Sequence, residues 1–311
     1  MSITPDHDVL TVGGWKKIVD ISFNDQIVTL NKETDNMEWY YPDALTKTKS
    51  DKMYKIYNKY IDLVVTTDYK LYTRTKNSEY GLTPAADIMG KKSWYKKSGI
   101  NANPELLVFE LPGFSLKAKY GNQLYFSLKI DMEAWLTLFG LFLSHGSFNK
   151  YDSSSILISE SANKTEQLSK LMHILRFNGF YNEEEDYFRI NNTQLTSYLR
   201  SIGNELPDWI INLSMVQSKL LLDSLLLSGT YTTAVKKNAD IVQILAINAG
   251  ETVDLSLASN IYTITGSKSE PLVSPSDESV ISYNGSVYGL SVPNNIFMVR
   301  RGGKYCWIGS A

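Results

Sequence analysis

Few side chains in this sequence are suited to covalent chemistry, so the position of each one matters. Ser2 follows Met1 directly. An alcohol is a weak nucleophile at its ordinary pKa and reacts only when neighbours activate it. Ser2 therefore reads either as an activated nucleophile beside the Met1 carbonyl or as the surface residue after an initiator methionine. The single thiol, Cys306, excludes an internal disulfide and a cysteine-based zinc cluster. It lies in an apolar run, as a small buried hydrophobe would. Imidazoles are as scarce: His7 closes the run TPDH, His145 ends an apolar stretch, and His173 falls in a helix-like segment. Both His7 and His173 are expected to be structural. Tyr69, in IDLVVTTDYKLYTRT, offers a phenol that donates a hydrogen bond but is a poor proton relay near neutral pH.

The elements that would position these residues change character along the chain. Residues 2–128 hold short alternating runs (VLTVGGWKKIVDI, QIVTLN, YIDLVVTTDYKLYTRT, ELLVFELPGFSL, GNQLYFSLKI) separated by Gly, Asn and Asp. That pattern predicts an all-β domain, with a helical turn or two in LTPAADIMGKKSWYK at 82–96. From Met132 the period becomes helical. MEAWLTLFGLFLSHG is apolar on nearly every face, and KTEQLSKLMHILRFNGF repeats Leu168, Leu171, Met172 and Leu175 with Gly179 as a stop. Residues 187–213 read as a strand followed by short helices. A second many-faced apolar helix, SMVQSKLLLDSLLLSG, precedes ADIVQILAINAG, which closes on Gly250. The two apolar helices lie 84 residues apart, Leu138 to Leu222, so an internal repeat with pseudo-twofold symmetry is expected. SKSEPLVSPSDES then reads as a linker, and β patterning resumes at VISYNGSVYGLSVP.

Hydrophobic content of 43% with 21% charged residues predicts a soluble globular chain, and 311 residues suffice for one large or two ordinary domains. The longest apolar runs, LTLFGLFL and KLLLDSLLL, fall short of the ~20 residues that a membrane span needs. No basic-then-apolar signal pattern opens the chain. A cytoplasmic monomer without cofactor, metal or membrane association is the expectation. The net charge of −2 is unevenly divided: residues 131–272 carry 10 Lys/Arg against 16 Asp/Glu, and the flanks 21 against 17. An acidic middle segment disfavours a DNA-cradling role there.

The two ends carry a resemblance. SITPDHDVLTVGGWKKIVDIS opens with a small hydroxyl residue, short strands and a Gly-Gly turn; VYGLSVPNNIFMVRRGGKYCWIGSA ends with strands around another Gly-Gly turn. Together they resemble the first and last blocks of an intein, the self-excising element of the horseshoe-shaped Hint fold, whose termini meet at one active centre. The resemblance implies that Ser2 is the first nucleophile, converting a peptide to an ester. Thr66 matches the threonine of the family's T-x-x-H strand, while Tyr69 stands at the histidine. Gly289 and Asn295 stand where such families often carry Asp or Cys and His, so Asn295 is at best a donor to the reacting carbonyl. Splicing also needs a terminal Asn. Either Ser310 occupies that position with Ala311 following, or Ala311 occupies it with Ser310 penultimate. In both alignments the final cleavage is chemically blocked, as in a trapped or inactivated form.

The middle segment resembles a LAGLIDADG homing endonuclease. Leu138-Phe139-Gly140-Leu141-Phe142-Leu143-Ser144-His145-Gly146 matches the motif with both glycines, and Leu222-Asp223-Ser224-Leu225-Leu226-Leu227-Ser228-Gly229-Thr230 is the second copy. The small residues Gly140 and Ser224 imply closely packed paired helices. The family's metal-binding carboxylates would fall at His145 and Gly229, where one residue is a poor Mg²⁺ ligand and the other has no side chain. Asp131 and Asp223 are nearby carboxylates for which capping or solvated roles suffice. The nuclease is therefore expected to have decayed, with DNA binding disfavoured.

The resulting expectation is a Ser-initiating intein: an all-β Hint domain over 2–128 and 274–311, interrupted by an α+β endonuclease-like insert over 129–273. Its partners would be the exteins of a host protein, a viral or phage DNA polymerase by family habit. The alternative is a DNA endonuclease or DNA-binding protein carried by the middle segment.

Overall fold

Two Gly-Gly turns organise the first of the two units into which the chain divides. The computed structural model describes every residue except 119–120, 160–164, 184, 228 and 268–269. One unit comprises Met1–Ala102, Gly250–Leu257 and Gly266–Ala311; the other comprises Asn103–Ala249 and Ala258–Thr265.

In the first unit, strand Asp8–Thr11 folds back on Gly14–Lys17, and Ile296–Arg301 on Lys304–Gly309. Gly302 and Gly303 take φ of +55° and +81°, the left-handed conformation that a two-residue hairpin turn requires. The opening and closing hairpins are neighbours, with Asp8 opposite Arg300 and Val9 opposite Val299. They form part of an 11-stranded sheet. Alternation along these strands sends Val9, Ile27, Leu71, Phe297, Val299, Cys306 and Ile308 into one core. A three-stranded sheet flanks it, in which Ala44–Tyr57 pairs with Glu278–Ser291 on one side and Asp62–Val65 on the other. The helical turn expected within 82–96 is α1 (Ala85–Ile88).

The stretch read as a linker is built into this unit. Leu272–Val273 pairs with Ser93–Trp94, and Asn58 Nδ2 donates to Leu272 O at 2.9 Å and to the Asp277 carboxylate at 3.0 Å. Its polar composition reflects capping, since Ser274 and Asp277 close a short 3-10 turn. Residues 268–269 of that stretch lie outside the described residues.

The second unit holds α2 (Met132–His145), α3 (Thr165–Leu175), α4 (Thr193–Ile202), α5 (Met215–Leu225) and α6 (Lys236–Asn248). Asp131 caps α2, accepting from Ala134 N at 2.9 Å. A β-carbon at Gly140 would overlap Ser224 Cβ and lie 3.2 Å from Leu221 Cδ1, so α2 and α5 touch at these two small residues. A four-stranded sheet runs Gly146–Phe148, Ser155–Ser159, Tyr187–Asn191, Asn178–Asn182. The second repeat is shorter, passing from α5 through Thr230–Thr233 directly to α6. α6 stops before Gly250, φ +70°, as read from the sequence. The helix α3 does not use Gly179. Arg176 takes φ +56° at its end, and Gly179 lies in a strand where a β-carbon would meet Phe188 and Met172 at 2.6 and 2.9 Å.

The division of the chain falls at other residues than the composition suggested. Residues 103–128 belong to the second unit because Phe109 stacks on Trp135, with ring centroids 4.2 Å apart. Gln194 Nε2 also donates to Pro112 O at 3.0 Å and Phe126 O at 2.8 Å. Conversely, 250–257 and 266–273 join the first unit. With these bounds, 103–249 carries 12 Lys/Arg against 15 Asp/Glu, an acidic excess half that of 131–272. Among the described residues, no helix is long and apolar enough to cross a membrane.

Candidate functional site

The N-terminal segment is held between two strands of the first unit. Ile3 is 1% exposed and forms bridges to Tyr288 and Val65, exchanging backbone hydrogen bonds of 2.9 Å with Tyr288. One residue earlier, Thr66 N donates to Ser2 O at 2.9 Å, and Ser2 N donates to Thr66 Oγ1 at 3.0 Å. Thr66 thus grips both sides of Ser2, which is itself buried. Behind it, a hydrogen bond from the Thr66 side chain is the main influence holding the Asp68 carboxyl below its ordinary value.

His7 fastens the same segment from the other side. Its Nδ1 lies 3.1 Å from Thr4 O, and its Nε2 accepts from Val64 N at 3.4 Å. Only the neutral tautomer with hydrogen on Nδ1 satisfies both contacts. Burial pushes the imidazole pKa down to about 4. In the unfolded chain it protonates near 6.5. Stability is therefore full above that value and falls as pH drops from 6.5 towards 4, by about 3 kcal/mol in all. Urea unfolding at several pH values should show this slope in the unsubstituted chain, and His7→Gln should lack it. His7 is structural, as expected.

The C-terminal residues are fixed as firmly. Ser310 N donates to Asn295 O, and Ala311 N to Leu290 O, both at 2.8 Å. Ser310 is 5% exposed, while Ala311 is exposed. The Ser310 hydroxyl is buried with no hydrogen-bond partner among the described residues. Tyr69, itself buried, donates its phenol to Gly309 O at 2.5 Å. Burial raises its pKa well above the ordinary phenol value, so it stays a donor.

The two ends converge on Gly289. A β-carbon there would overlap Thr46 Oγ1 and lie 2.9 Å from Met1 O and 3.2 Å from Ala311 Cβ. The carbonyl preceding Ser2 and the residue following Ser310 therefore border one small space. Ser2, Thr66, Ser310 and Ala311 are brought to this region. Tyr69 serves its C-terminal side rather than the Met1–Ser2 amide that its motif position implied. Asn295 contributes its backbone carbonyl; its side-chain amide, exposed, donates to Pro293 O at 3.4 Å. Two neighbours were not singled out by the sequence: Asp68, two residues after Thr66, and Thr46, hidden in a Lys/Thr-rich run with no hydrophobic signal. Cys306 is buried in the core, where desolvation pushes its thiol up to about 12.

In the second unit, His145 ends α2 with Nδ1 2.8 Å from Ser144 Oγ. Gly229 lies beyond α5 at φ +88°, and Ser228 of that motif lies outside the described residues. Asp223 is exposed and pairs with Lys219 at 3.3 Å.

No protein-family profile matches the chain. Two curated proteins align with it. One is an ATP-dependent Clp protease proteolytic subunit from Chlamydomonas moewusii, 32% identical over 302 residues, covering 85% of this chain and 30% of that protein. The other is a DNA-directed RNA polymerase subunit beta C-terminal section from Stigeoclonium helveticum, 27% identical over 401 residues, covering 99% and 36%. The chain spans about a third of the length of these relatives. Similar solved structures include a splice-inactive AceL NrdHF class 3 split intein, at TM-score 0.37, 10% identity and coverage of 100% and 98%. The homing endonuclease I-DmoI bound to DNA and Mn aligns with 44% of this chain and 89% of its own, at TM-score 0.31 and 15% identity. The N-terminal LAGLIDADG domain of DUF199/WhiA covers 43% and 74%, at TM-score 0.28 and 15% identity.

Proposed function

We propose that the chain is a Ser-initiating protein-splicing element of the Hint type, carrying an inserted endonuclease-derived unit that has lost its catalytic carboxylates. The observation that carries this reading is the convergence of Met1 O and Ala311 Cβ on Gly289. A second supports it. The two curated relatives have unrelated printed names, a protease subunit and an RNA polymerase subunit, yet each aligns with this chain over about a third of its length. A segment shared by proteins of different activities is what insertion into host genes produces. The flanking exteins would belong to such a host; these two host types join the DNA polymerase expected from the sequence.

In the first step Ser2 Oγ attacks the Met1 carbonyl, the carbon–nitrogen bond breaks, and the Ser2 nitrogen takes up the proton that the hydroxyl loses. Thr66 Oγ1, 3.0 Å from that nitrogen and backed by Asp68, is placed to pass a proton as the amine forms. A hydroxyl or thiol at the position after the junction then bonds to the ester carbon, the bond to Ser2 Oγ breaks, and Ser2 Oγ takes up the proton that the attacking group loses; Ala311 offers no such group. Finally a side-chain amide at 310 would cyclise onto its own backbone carbonyl, with Tyr69 positioning the preceding peptide. Ser310 cannot perform that last step.

The test is a fusion bearing a protein upstream of Met1. Hydroxylamine cleaves esters far faster than amides, so it should release the upstream partner, and Ser2→Ala should abolish release. Equal release from both, or none from the unsubstituted fusion, overturns the reading. Cleavage of duplex DNA by this chain with Mg²⁺ would overturn the inactive-nuclease part.

A further inference from the structure

Gly289 and Thr46 are directly opposed across the long antiparallel pair Ala44–Tyr57/Glu278–Ser291. Residues opposed in this way project to the same face of the sheet. The face concerned is the one that Met1 O and Ala311 Cβ border, because a β-carbon at 289 would meet both. The same β-carbon would overlap Thr46 Oγ1. The space that a side chain at 289 would fill is thus occupied from across the ladder, and by a hydroxyl.

We propose that Thr46 supplies from the opposite strand the hydrogen-bonding group that position 289 lacks, and that its hydroxyl positions the Met1 carbonyl for attack by Ser2. As Ser2 Oγ bonds to the carbonyl carbon, negative charge builds on Met1 O, and a hydroxyl turned toward it from the space both border lowers the barrier. The hydroxyl keeps its proton throughout. The bond formed is Oγ–C, the bond broken is C–N, and the proton passes from the Ser2 hydroxyl to its nitrogen. Exposure favours this over a packing role: Thr46 and its neighbours Lys47 and Thr48 are all exposed. The arrangement also explains why glycine is found at 289: any larger residue would displace the hydroxyl.

The inference rests on the splicing reading, and its test separates the two. Hydroxylamine-released cleavage at Met1–Ser2 is timed in the full chain with its upstream fusion for the unsubstituted protein, Thr46→Val and Thr46→Ser. Valine keeps the shape and removes the donor; serine keeps the donor. Thr46→Val should cleave at least about tenfold more slowly, with Thr46→Ser within about threefold of the unsubstituted rate and thermal midpoints alike. Equal rates for Val and the unsubstituted chain, with cleavage still dependent on Ser2, overturn the role of Thr46 alone. A Thr46→Ser variant as slow as Thr46→Val also overturns it, because shape rather than the hydroxyl would then matter. If the unsubstituted chain shows no Ser2-dependent cleavage, both readings fail together.

Discussion

Replacing Ser310 with Asn is expected to release a protein fused downstream of residue 310, where the unsubstituted chain releases none. The serine hydroxyl at this position is buried without a hydrogen-bond partner among the described residues. An unsatisfied buried polar group costs about 1–3 kcal/mol, so the slot is poorly matched to serine. An Asn carries donors and an acceptor into the same slot, and its amide nitrogen reaches its own backbone carbonyl to form a five-membered ring. The backbone there is already fixed by Ser310 N on Asn295 O and by the Tyr69 phenol on Gly309 O. Mass spectrometry should find the released fragment and a cyclised terminus on the chain. Ala311→Asn should give none, since the Ala311 side chain is exposed, whereas the side chain at 310 is enclosed between two anchored backbone amides. Release from Ala311→Asn alone would move the junction by one residue.

Gly140→Leu should strongly destabilise the second unit. Even a methyl at Gly140 would overlap Ser224 Cβ, and α2 and α5 are flanked there by the buried Leu138, Phe139, Leu221 and Leu222. Overpacking a tight contact typically costs 1–3 kcal/mol, and a leucine side chain forced between two helices should reach about 3 kcal/mol or more. Denaturant unfolding measures this, and Ser224→Gly should recover part of the loss in a Gly140→Ala background. Hydroxylamine cleavage at Ser2 should survive, since Met1, Ser2, Thr66 and Gly289 all belong to the other unit. An unchanged unfolding midpoint in Gly140→Leu would contradict the helix contact described.

Much of this arrangement could be read from residue types. The Gly-Gly turns at 13–14 and 302–303 and the two apolar helices follow from local rules of turn chemistry and periodicity, while the small contact residues Gly140 and Ser224 were legible only through the resemblance of the two motif copies. Strand Ala44–Tyr57 was missed because its outer half, ALTKTKSDK, has an exposed, lysine-rich face with little apolar alternation. Its identity comes from pairing with Glu278–Ser291, a contact across more than 200 residues that no local window contains. Thr46 was invisible for the same reason. Tyr69 was placed at the wrong peptide because spacing within a motif fixes the strand, not the direction in which a long side chain reaches. The boundary near 103 was misjudged because residues 103–128 are β-rich like the first unit, and only the stacking of Phe109 on Trp135 assigns them to the helices.

The central claim is that Met1–Ser2 and the peptide after residue 310 react in a single centre. It is tested most directly by the Ser310→Asn, Ala311→Ser chain fused at both ends to distinguishable proteins. A single new polypeptide, with the two partners joined by a peptide bond and lost when Ser2→Ala is added, is the predicted product. Two separate fragments that never join, or joining that persists without Ser2, would contradict it.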